Sequence, residues 1–212
     1  QPIIHLKPFE KDDIDRLIGW VSTEEFLMIW AGPEYSYPLT KSQLELSLLN
    51  ATKINPNNYM FTACTQNKDV IGHGEIMNYD RKNNSATLAR ILIGPGEFRS
   101  KGLGFQLVLE LMKYSFRYLK VHRLTLNVFS FNDSAIKCYQ KAGFKIEGKL
   151  KDVRKIKNEY WSNIVMTILE DEYEYILNHS ESKYVFISSE IIYNKVKNSL
   201  DKSPALKDIY TF

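Results

Sequence analysis

Cysteine is scarce in this chain of 212 residues, which contains only Cys64 and Cys138. Neither belongs to a Cys-x-x-Cys pair, and no cluster of histidine and cysteine has the spacing of metal ligands. The sequence therefore predicts neither a disulfide framework nor a zinc site, and we expect a protein without a metal. Such sparing use of cysteine is typical of proteins that work in a reducing cytoplasm.

Long hydrophobic runs and a strong excess of one charge are also missing. No apolar run approaches the ~18 residues of a membrane span, and residues 1–7 lack the apolar centre of a signal peptide. The formal net charge is only +3, which does not predict nucleic-acid binding but suits a small anionic ligand. We expect a soluble, cytoplasmic protein without membrane or nucleic-acid partners.

Hydrophobic periodicity predicts a mixture of strands and helices. Strands are expected at 3–6, 59–64, 70–77, 86–93 and 124–129, with two more around the turn at 155–158. Helices are expected near 11–18 and 23–30, after Pro38, and at 103–119 and 134–141. This order, with three antiparallel strands in succession, predicts an α+β (mixed α/β) domain.

The C-terminal part of the chain follows a different pattern. It has a charged helix start at 171–174, a strand-like segment at 184–187 and a helical segment at 190–200. We therefore divide the chain into a main domain, 1–170, and a C-terminal extension, 171–212, whose role the sequence leaves open. The extension is expected to pack on the same domain.

A glycine-rich, basic loop joins one apolar strand to the longest apolar helix, in the segment ILIGPGEFRSKGLG at 91–104. Free N–H groups at a helix start bind phosphate, and Gly102 and Gly104 would let a ligand approach the main chain. Arg99 and Lys101 add charge that suits a pyrophosphate. The order of these residues fits neither a Walker loop nor a dinucleotide fingerprint. The alternative is a strand-to-helix turn that uses glycine for tight packing.

A second segment, FNDSAIKCYQKAGF at 131–144, makes the pattern more specific. The motif Arg-x-x-Gly-x-Gly, starting at Arg99, resembles the coenzyme A pyrophosphate loop of the GNAT superfamily. The motif Asn-x-x-Ala-x-x-x-Tyr-x-x-x-Gly-Phe, starting at Asn132, resembles the second hallmark of the same family. The resemblance covers roughly 3–169, and residues 6–9 and 26–32 look closest to the branch of ribosomal-protein N-terminal acetyltransferases. It implies the GNAT fold, a twisted and mostly antiparallel sheet of about seven strands flanked by helices.

The resemblance also implies acetyl-CoA as co-substrate and a set of cofactor contacts. These contacts are Ile91, Leu92, Ile93, Arg99, Ser100, Lys101, Gly102, Leu103, Gly104 and Asn132. A main-chain N–H near Leu92 would polarise the thioester carbonyl. Tyr139 would protonate the departing thiolate, because an unperturbed tyrosine is protonated at neutral pH. The alternatives are a helix cap for Asn132 and core packing for Tyr139.

The general base is less clear from the sequence. Some ribosomal-protein acetyltransferases have a glutamate five residues before the motif asparagine, but here Asn127 occupies that position and cannot accept a proton. Glu75, on a central strand, is the candidate base, and the alternative is an ordinary strand glutamate that faces solvent. His73 shares its strand face, and the sequence favours a structural role for it.

Aromatic residues in the region between 26 and 37 are candidates for the acceptor pocket. Trp30, Tyr35 and Tyr37 could line a pocket for a peptide N-terminus, an amino sugar or a polyamine, whereas Phe26 and Trp30 fit a core-facing pair equally well. The expected function is transfer of an acetyl group from acetyl-CoA to a primary amine by direct attack on the thioester. The alternatives are an acyl-CoA-binding regulatory module and an RNA-associated protein. A homodimer is left open.

Overall fold

The computed structural model describes residues 4–179, 184–187 and 208–211. Contacts divide the chain into two compact units, Gln1–Ile168 and Leu169–Phe212. The described part of the second unit contains one helix and two short parallel strands. The strand expected at 184–187 is present, and the helix expected at 190–200 lies outside the described residues.

The predicted antiparallel run and the strand-helix-strand section form one sheet. Its strands are β1 (Ile4–Pro8), β2 (Tyr59–Thr65), β3 (Val70–Asp80), β4 (Ser85–Ile93), β5 (Arg123–Phe129), β6 (Lys145–Ile156) and β7 (Glu159–Leu169). The small second sheet consists of β8 (Tyr184–Ile187) and β9 (Asp208–Thr211). The order across the seven-stranded sheet is β1-β2-β3-β4-β5-β7-β6. Strands β1 to β4 pair in antiparallel fashion, as do β6 and β7, whereas β4 and β5 are parallel. The expected mixed, mostly antiparallel sheet is confirmed.

Six helices complete the described part of the fold. They are α1 (Ile14–Trp20), α2 (Glu24–Ala31), α3 (Lys41–Thr52), α4 (Leu103–Lys113), α5 (Asp133–Lys141) and α6 (Glu170–His179). Threonine side chains cap α2 and α3, because Thr23 and Thr40 accept hydrogen bonds from main-chain N–H groups three residues later. The helix predicted at 103–119 is regular only to Lys113 and continues as a π-helical turn, Tyr114–Tyr118.

The two faces of β3 carry different side chains, and this decides what packs on each. A Cβ atom added to Gly74 would lie 2.7 Å from Leu111 of α4, so α4 packs directly on the glycine main chain of this face. His73 lies on the opposite face, where its ring meets Phe9 and Trp30 edge to face. That face packs against a cluster of apolar residues from α1, α2 and α3. The sheet therefore has α4 on one face and α1 to α3 on the other.

Candidate active site

Strands β4 and β5 separate halfway along their length. Their parallel pairing runs from Ser85 opposite Arg123 to Leu88 opposite Leu126. Strand β4 continues to Ile93 without further pairing to β5 in the described residues, so its main-chain groups on that side are open to a ligand. The predicted main-chain contacts, residues 91–93, lie in this open part, which we call the fork.

A bulge in β4 lies at the mouth of the fork. His73 is opposite Leu92 and Glu75 is opposite Ala89, so two residues of β4, Arg90 and Ile91, face the single β3 residue between them. Arg90 has a left-handed main chain with φ of 52°, as the extra residue of a bulge can. The bulge aims the Arg90 side chain at the α1 to α3 face, where its partners lie.

The loop after β4 delivers main-chain N–H groups to the start of α4. Gly102 is the residue before the helix, its φ is 76°, and no side chain caps the helix there. The first helical hydrogen bond is donated by Gln106 to Gly102, which leaves the N–H groups of the first turn for a ligand. A Cβ atom at Gly104 would meet only Ile93, at 3.9 Å, so the protein itself leaves that space open. This arrangement is an anion-binding helix start.

Four of the predicted loop residues, Arg99, Ser100, Lys101 and Leu103, differ in how they can reach a ligand. Arg99 folds back on the strand end and donates from Nε to Ile93 O at 3.1 Å and from Nη2 to Gly94 O at 2.7 Å. It therefore braces the loop while keeping its positive charge beside it. Ser100 and Lys101 are exposed next to it. The Leu103 side chain is buried in the core, so only its main chain can reach a ligand.

Helix α5 presents the asparagine and the tyrosine of the second motif. The Oδ1 atom of Asn132 accepts from Ala135 N at 3.2 Å and from Ser134 Oγ at 3.1 Å, so the expected helix-cap alternative is correct. The N–H groups of its carboxamide are still donors for a ligand. Tyr139 lies two turns further on the same face, half-buried against Phe144. Burial raises the pKa of Tyr139, so its hydroxyl is protonated at neutral pH.

On the α1 to α3 face, four ionisable side chains are connected from the core to the surface. Glu75 Oε1 lies 2.9 Å from His73 Nε2, and Glu75 Oε2 lies 2.9 Å from Arg90 Nη1. Arg90 also donates to the hydroxyl of Tyr35 at 2.8 Å and to the carboxylate of Glu34. His73 and Glu75 are each 1% exposed, whereas the Glu34 side chain is 60% exposed. We call His73, Glu75, Arg90 and Glu34 the charged chain.

Two buried members of the charged chain, Glu75 and Arg90, stay ionised. Burial raises the pKa of Glu75, but Arg90 and the hydrogen bond from His73 outweigh it, so the pKa lies below the ordinary value. Burial lowers the pKa of Arg90, and Glu75 more than restores it. Burial, with a smaller effect of Glu75, raises the pKa of Tyr35 to about 12. A buried carboxylate of lowered pKa is a weak proton acceptor.

Glu75 differs from one of the two descriptions that the sequence allowed. The solvent-facing alternative is wrong, because the side chain is buried and paired. Its role as direct base stays a prediction, although its lowered pKa counts against it. The physical reason is the bulge of β4, which brings Arg90 onto the same face and could not be read from the local sequence of β3.

The aromatic candidates are only partly brought together. Trp30 stacks on Tyr35 with ring centroids 6.3 Å apart, and Trp30 meets the edge of His73 at 5.9 Å. Tyr37 lies apart on the surface, where its hydroxyl donates to Ser22 O at 3.2 Å. Phe26 packs against the apolar cluster, as the core-facing alternative predicted. Trp30 and Tyr35 therefore belong to the candidate acceptor region, and the position of Tyr37 gives it no partner in that group.

Sequence reasoning missed Arg90 and Glu34. Arg90 interrupts an otherwise apolar strand, ATLARILI at 86–93, and a cation in such a run must be paired when it is buried. That signal could have found Arg90. Glu34 carries no comparable signal, because it lies in a short 3-10 turn, Gly32–Glu34, after α2.

In the ranges that the structure describes, no group of three or more histidine, cysteine, aspartate or glutamate side chains is placed to hold a metal ion. Both cysteines are free. No helix in the same ranges has the length and apolar character needed to cross a bilayer.

Comparison with known proteins connects this geometry to a family. The family model described as "Acetyltransferase (GNAT) domain" matches residues 4–145. An uncharacterised prophage-derived N-acetyltransferase, YokL of Bacillus subtilis, is 27% identical over 127 residues, which are 60% of this chain and 70% of YokL. Spermidine N(1)-acetyltransferase of Escherichia coli is 26% identical over 170 residues, which are 80% of this chain and 88% of that enzyme.

The fold has a close match among solved structures. Spermidine N-acetyltransferase from Vibrio cholerae, solved in complex with CoA and spermine, superposes with a TM-score of 0.71. The match covers 81% of this chain and 98% of that chain at 24% identity, a level that shows the fold alone. The predicted likeness to the ribosomal-protein branch finds no support in these relatives, whose named substrates are polyamines.

Proposed function

The chain belongs to the family of GNAT acetyltransferases, and on that premise we propose that it acetylates a primary amine of a small polyamine such as spermidine or spermine. The protein is an acetyl-CoA-dependent N-acetyltransferase of amines. The choice of a polyamine is ours, and two features support it. One is the activity in the name of the Escherichia coli relative. The other is the exposed carboxylate of Glu34 beside the acceptor region.

The fork is the observation that carries the proposed function. Open main-chain groups of β4 suit the pantetheine arm of acetyl-CoA, which carries amide groups along its length. The uncapped start of α4 and the positive charge of Arg99 suit the pyrophosphate. Asn132 and Tyr139 share one face of α5, and in this proposal they meet the acetyl end. These features together fit one extended ligand that is anionic at one end and a thioester at the other.

Glu34 is the acceptor anchor in this proposal. One carboxylate oxygen is held by Arg90, which fixes the orientation of the side chain, and the side chain as a whole is largely exposed. A carboxylate held in this way can pair with an ammonium group of the acceptor at modest entropic cost. A polyamine has several ammonium groups, so one could pair with Glu34 while another, after losing a proton, reacts. This supports a polyamine over an acceptor with a single amine.

The chemistry needs two proton transfers. The acceptor ammonium first loses a proton, and the free amine then attacks the thioester carbonyl carbon, so that a C–N bond forms. Collapse of the tetrahedral intermediate breaks the C–S bond. The nitrogen loses a second proton, and the departing thiolate gains one from the Tyr139 hydroxyl, which the raised pKa keeps protonated. The products are the N-acetylamine, CoA with a free thiol, and one proton released to solvent.

An acceptor panel tests this proposal directly. Spermidine, spermine, putrescine, a peptide with a free N-terminus and a set of amino acids are each incubated with acetyl-CoA, while CoA thiol release is measured. We expect thiol release to depend on enzyme and on a polyamine, with the acetylated product identified by mass spectrometry. Preferred turnover of the peptide would overturn the polyamine assignment.

A matched pair of variants sharpens the acceptor assignment. Glu34→Gln removes the exposed charge, and we expect it to raise KM for spermidine with little change in the dissociation constant of acetyl-CoA. Glu24→Gln, also an exposed glutamate near this region but at the start of α2, is the control. An equal rise of KM in both variants would indicate general electrostatic attraction and contradict a specific anchor.

A further inference from the structure

We propose that His73, and not Glu75, is the general base, and that it takes the proton of the acceptor ammonium on its Nδ1 atom. The inference rests on the proposed function, since it names the proton acceptor of the same reaction. Three features of the buried region carry it: the hydrogen bond between His73 and Glu75, the free Nδ1 atom, and the position of His73 opposite the fork.

The hydrogen bond to Glu75 decides which ring nitrogen carries the proton. An ionised carboxylate has no proton to donate, so His73 donates from Nε2 to Glu75 Oε1 at 2.9 Å. Glu75 stays ionised because Arg90 holds its other oxygen at 2.9 Å. In the neutral imidazole the lone pair is then on Nδ1. Arg90 and Glu75 therefore prepare a basic nitrogen on His73 without themselves taking a proton.

The Nδ1 atom of His73 is buried and has no hydrogen-bond partner among the described residues. Leaving a buried polar atom without a partner destabilises the folded protein. The indole Nε1 of Trp30, whose ring meets the edge of His73, is likewise buried and without a hydrogen-bond partner among the described residues. The Nδ1 atom of His73 needs a hydrogen-bond donor, and the Nε1–H group of Trp30 needs an acceptor. An amine nitrogen, or one water that links an amine to the ring, supplies the donor that Nδ1 needs.

His73 also occupies the right place in the sheet. It lies directly opposite Leu92, whose main chain is part of the fork, and neighbouring strands are about 4.8 Å apart. Its ring points to the face of α1 to α3, which carries Trp30 and Tyr35. Only strand β4 therefore separates His73 from the open edge of the fork.

Other charged groups also face His73. Glu75 is on its own strand and Arg90 is on β4. Asp13 and Arg16, which form an ion pair with each other, lie with His73 around a narrow gap that has no room for a water molecule. These groups are present in both His73→Gln and its control variant His122→Gln. Their effect on the pH profile of activity is therefore the same in the two variants.

Proton balance is complete with this assignment. The ammonium loses one proton to His73 Nδ1, which passes it to solvent after each turnover. The second proton of the nitrogen, lost after C–N bond formation, balances the proton that Tyr139 gives to the thiolate. No oxidant, reductant or metal takes part in the step.

His73→Gln is the decisive variant, because a glutamine amide can still donate to Glu75 but has no basic nitrogen. Its kcat/KM is measured with spermidine, an ammonium ion at neutral pH, and with 2,2,2-trifluoroethylamine, which is largely unprotonated there. We expect a loss of about 100-fold or more with spermidine and a much smaller loss with trifluoroethylamine. The loss with spermidine should also shrink as the pH rises and the amine deprotonates without help.

The control variant is His122→Gln, because His122 is exposed at the start of β5. It should keep native kinetics with both amines. Equal losses with spermidine and trifluoroethylamine in His73→Gln would show that His73 acts only through structure and would overturn the inference, as would no loss with either. Absence of turnover by the native enzyme with every amine would instead refute the proposed function.

A measurement on the native protein covers the case in which His73→Gln does not fold. Long-range ¹H–¹⁵N spectra distinguish the two tautomers of a neutral histidine. The signal of His73 is assigned with His5→Gln, His122→Gln and His179→Gln variants. We expect the proton on Nε2, and a proton on Nδ1 instead would overturn the inference.

Discussion

The two halves of the candidate active site use different groups of the protein, main-chain groups in one half and side chains in the other. The cofactor half, formed by the fork, the loop at 94–102 and the start of α4, offers main-chain groups and is exposed. The acceptor half is a chain of buried side chains, in which His73, Glu75 and Arg90 are each at most 7% exposed. The first half is therefore adaptable at its surface, whereas the second is fixed by ion pairs and hydrogen bonds in the core.

This difference has a consequence for substitution. The exposed side chains of the loop in the cofactor half can change with little effect on folding, provided that the main-chain conformation is kept. In the acceptor half, function and stability are coupled, because removing one member leaves another charge buried and unpaired. Variants can therefore separate the two halves by their effect on stability and binding.

The largest expected effect is a loss of protein stability when a buried residue of the acceptor half is replaced. Glu75→Ala leaves Arg90 buried without its main partner, and we expect unfolding free energy to fall by about 3–5 kcal/mol. Glu34→Ala removes a carboxylate from the exposed end of the charged chain and should lower the unfolding free energy by about 1 kcal/mol or less. Urea unfolding of both variants checks this. Similar losses in the two variants would mean that burial does not distinguish the ends of the charged chain.

The next effect is on the rate and concerns Tyr139 in α5. Tyr139→Phe removes the proposed acid while keeping the ring that packs on Phe144. We expect kcat to fall by roughly 100-fold, since general acid catalysis contributes at least that much, with an unchanged dissociation constant for acetyl-CoA. Steady-state kinetics with calorimetric binding measure the two quantities. An unchanged kcat would exclude Tyr139 as the acid.

A smaller effect comes from two glycines of the cofactor half that behave in opposite ways. Gly102 has φ of 76°, so Gly102→Ala should destabilise the protein by roughly 1–2 kcal/mol. Gly104 lies inside α4, and a Cβ there meets only ordinary contact, so Gly104→Ala should stabilise it by about 0.5–1 kcal/mol. Both should weaken acetyl-CoA binding. A Gly104→Ala protein with native affinity would mean that the ligand does not approach this main chain closely.

The smallest effect is a pH dependence that belongs to the acceptor half. The pKa of Glu75 is lowered on folding, so its stabilising contribution is present in full above the unfolded value of about 4.3. It is lost as the pH falls through the lower folded value. Thermal unfolding between pH 7 and pH 3 should therefore show a weaker decline for Glu75→Gln than for the native protein. Parallel declines would contradict the lowered pKa.

The same difference between the halves explains what could be predicted from the sequence. The sheet, the loop at 94–102 and the motif residues Asn132 and Tyr139 follow from local signals, because a helix start and its glycines are encoded by consecutive residues. Arg90 and Glu34 lie far apart in the sequence and meet only through the β4 bulge. A bulge shifts the register by one residue, and no local pattern announces it. The residues of the acceptor half could therefore be predicted from the sequence only in part.

Two-substrate steady-state kinetics on Gly104→Ala and Glu34→Gln tests most directly the claim that the halves bind different substrates. Acetyl-CoA and spermidine are varied together, so that one data set gives a Michaelis constant for each. We predict that Gly104→Ala raises the constant for acetyl-CoA alone and that Glu34→Gln raises the constant for spermidine alone. If both constants rise together in either variant, or if neither variant changes its expected constant, the assignment of the two halves is wrong.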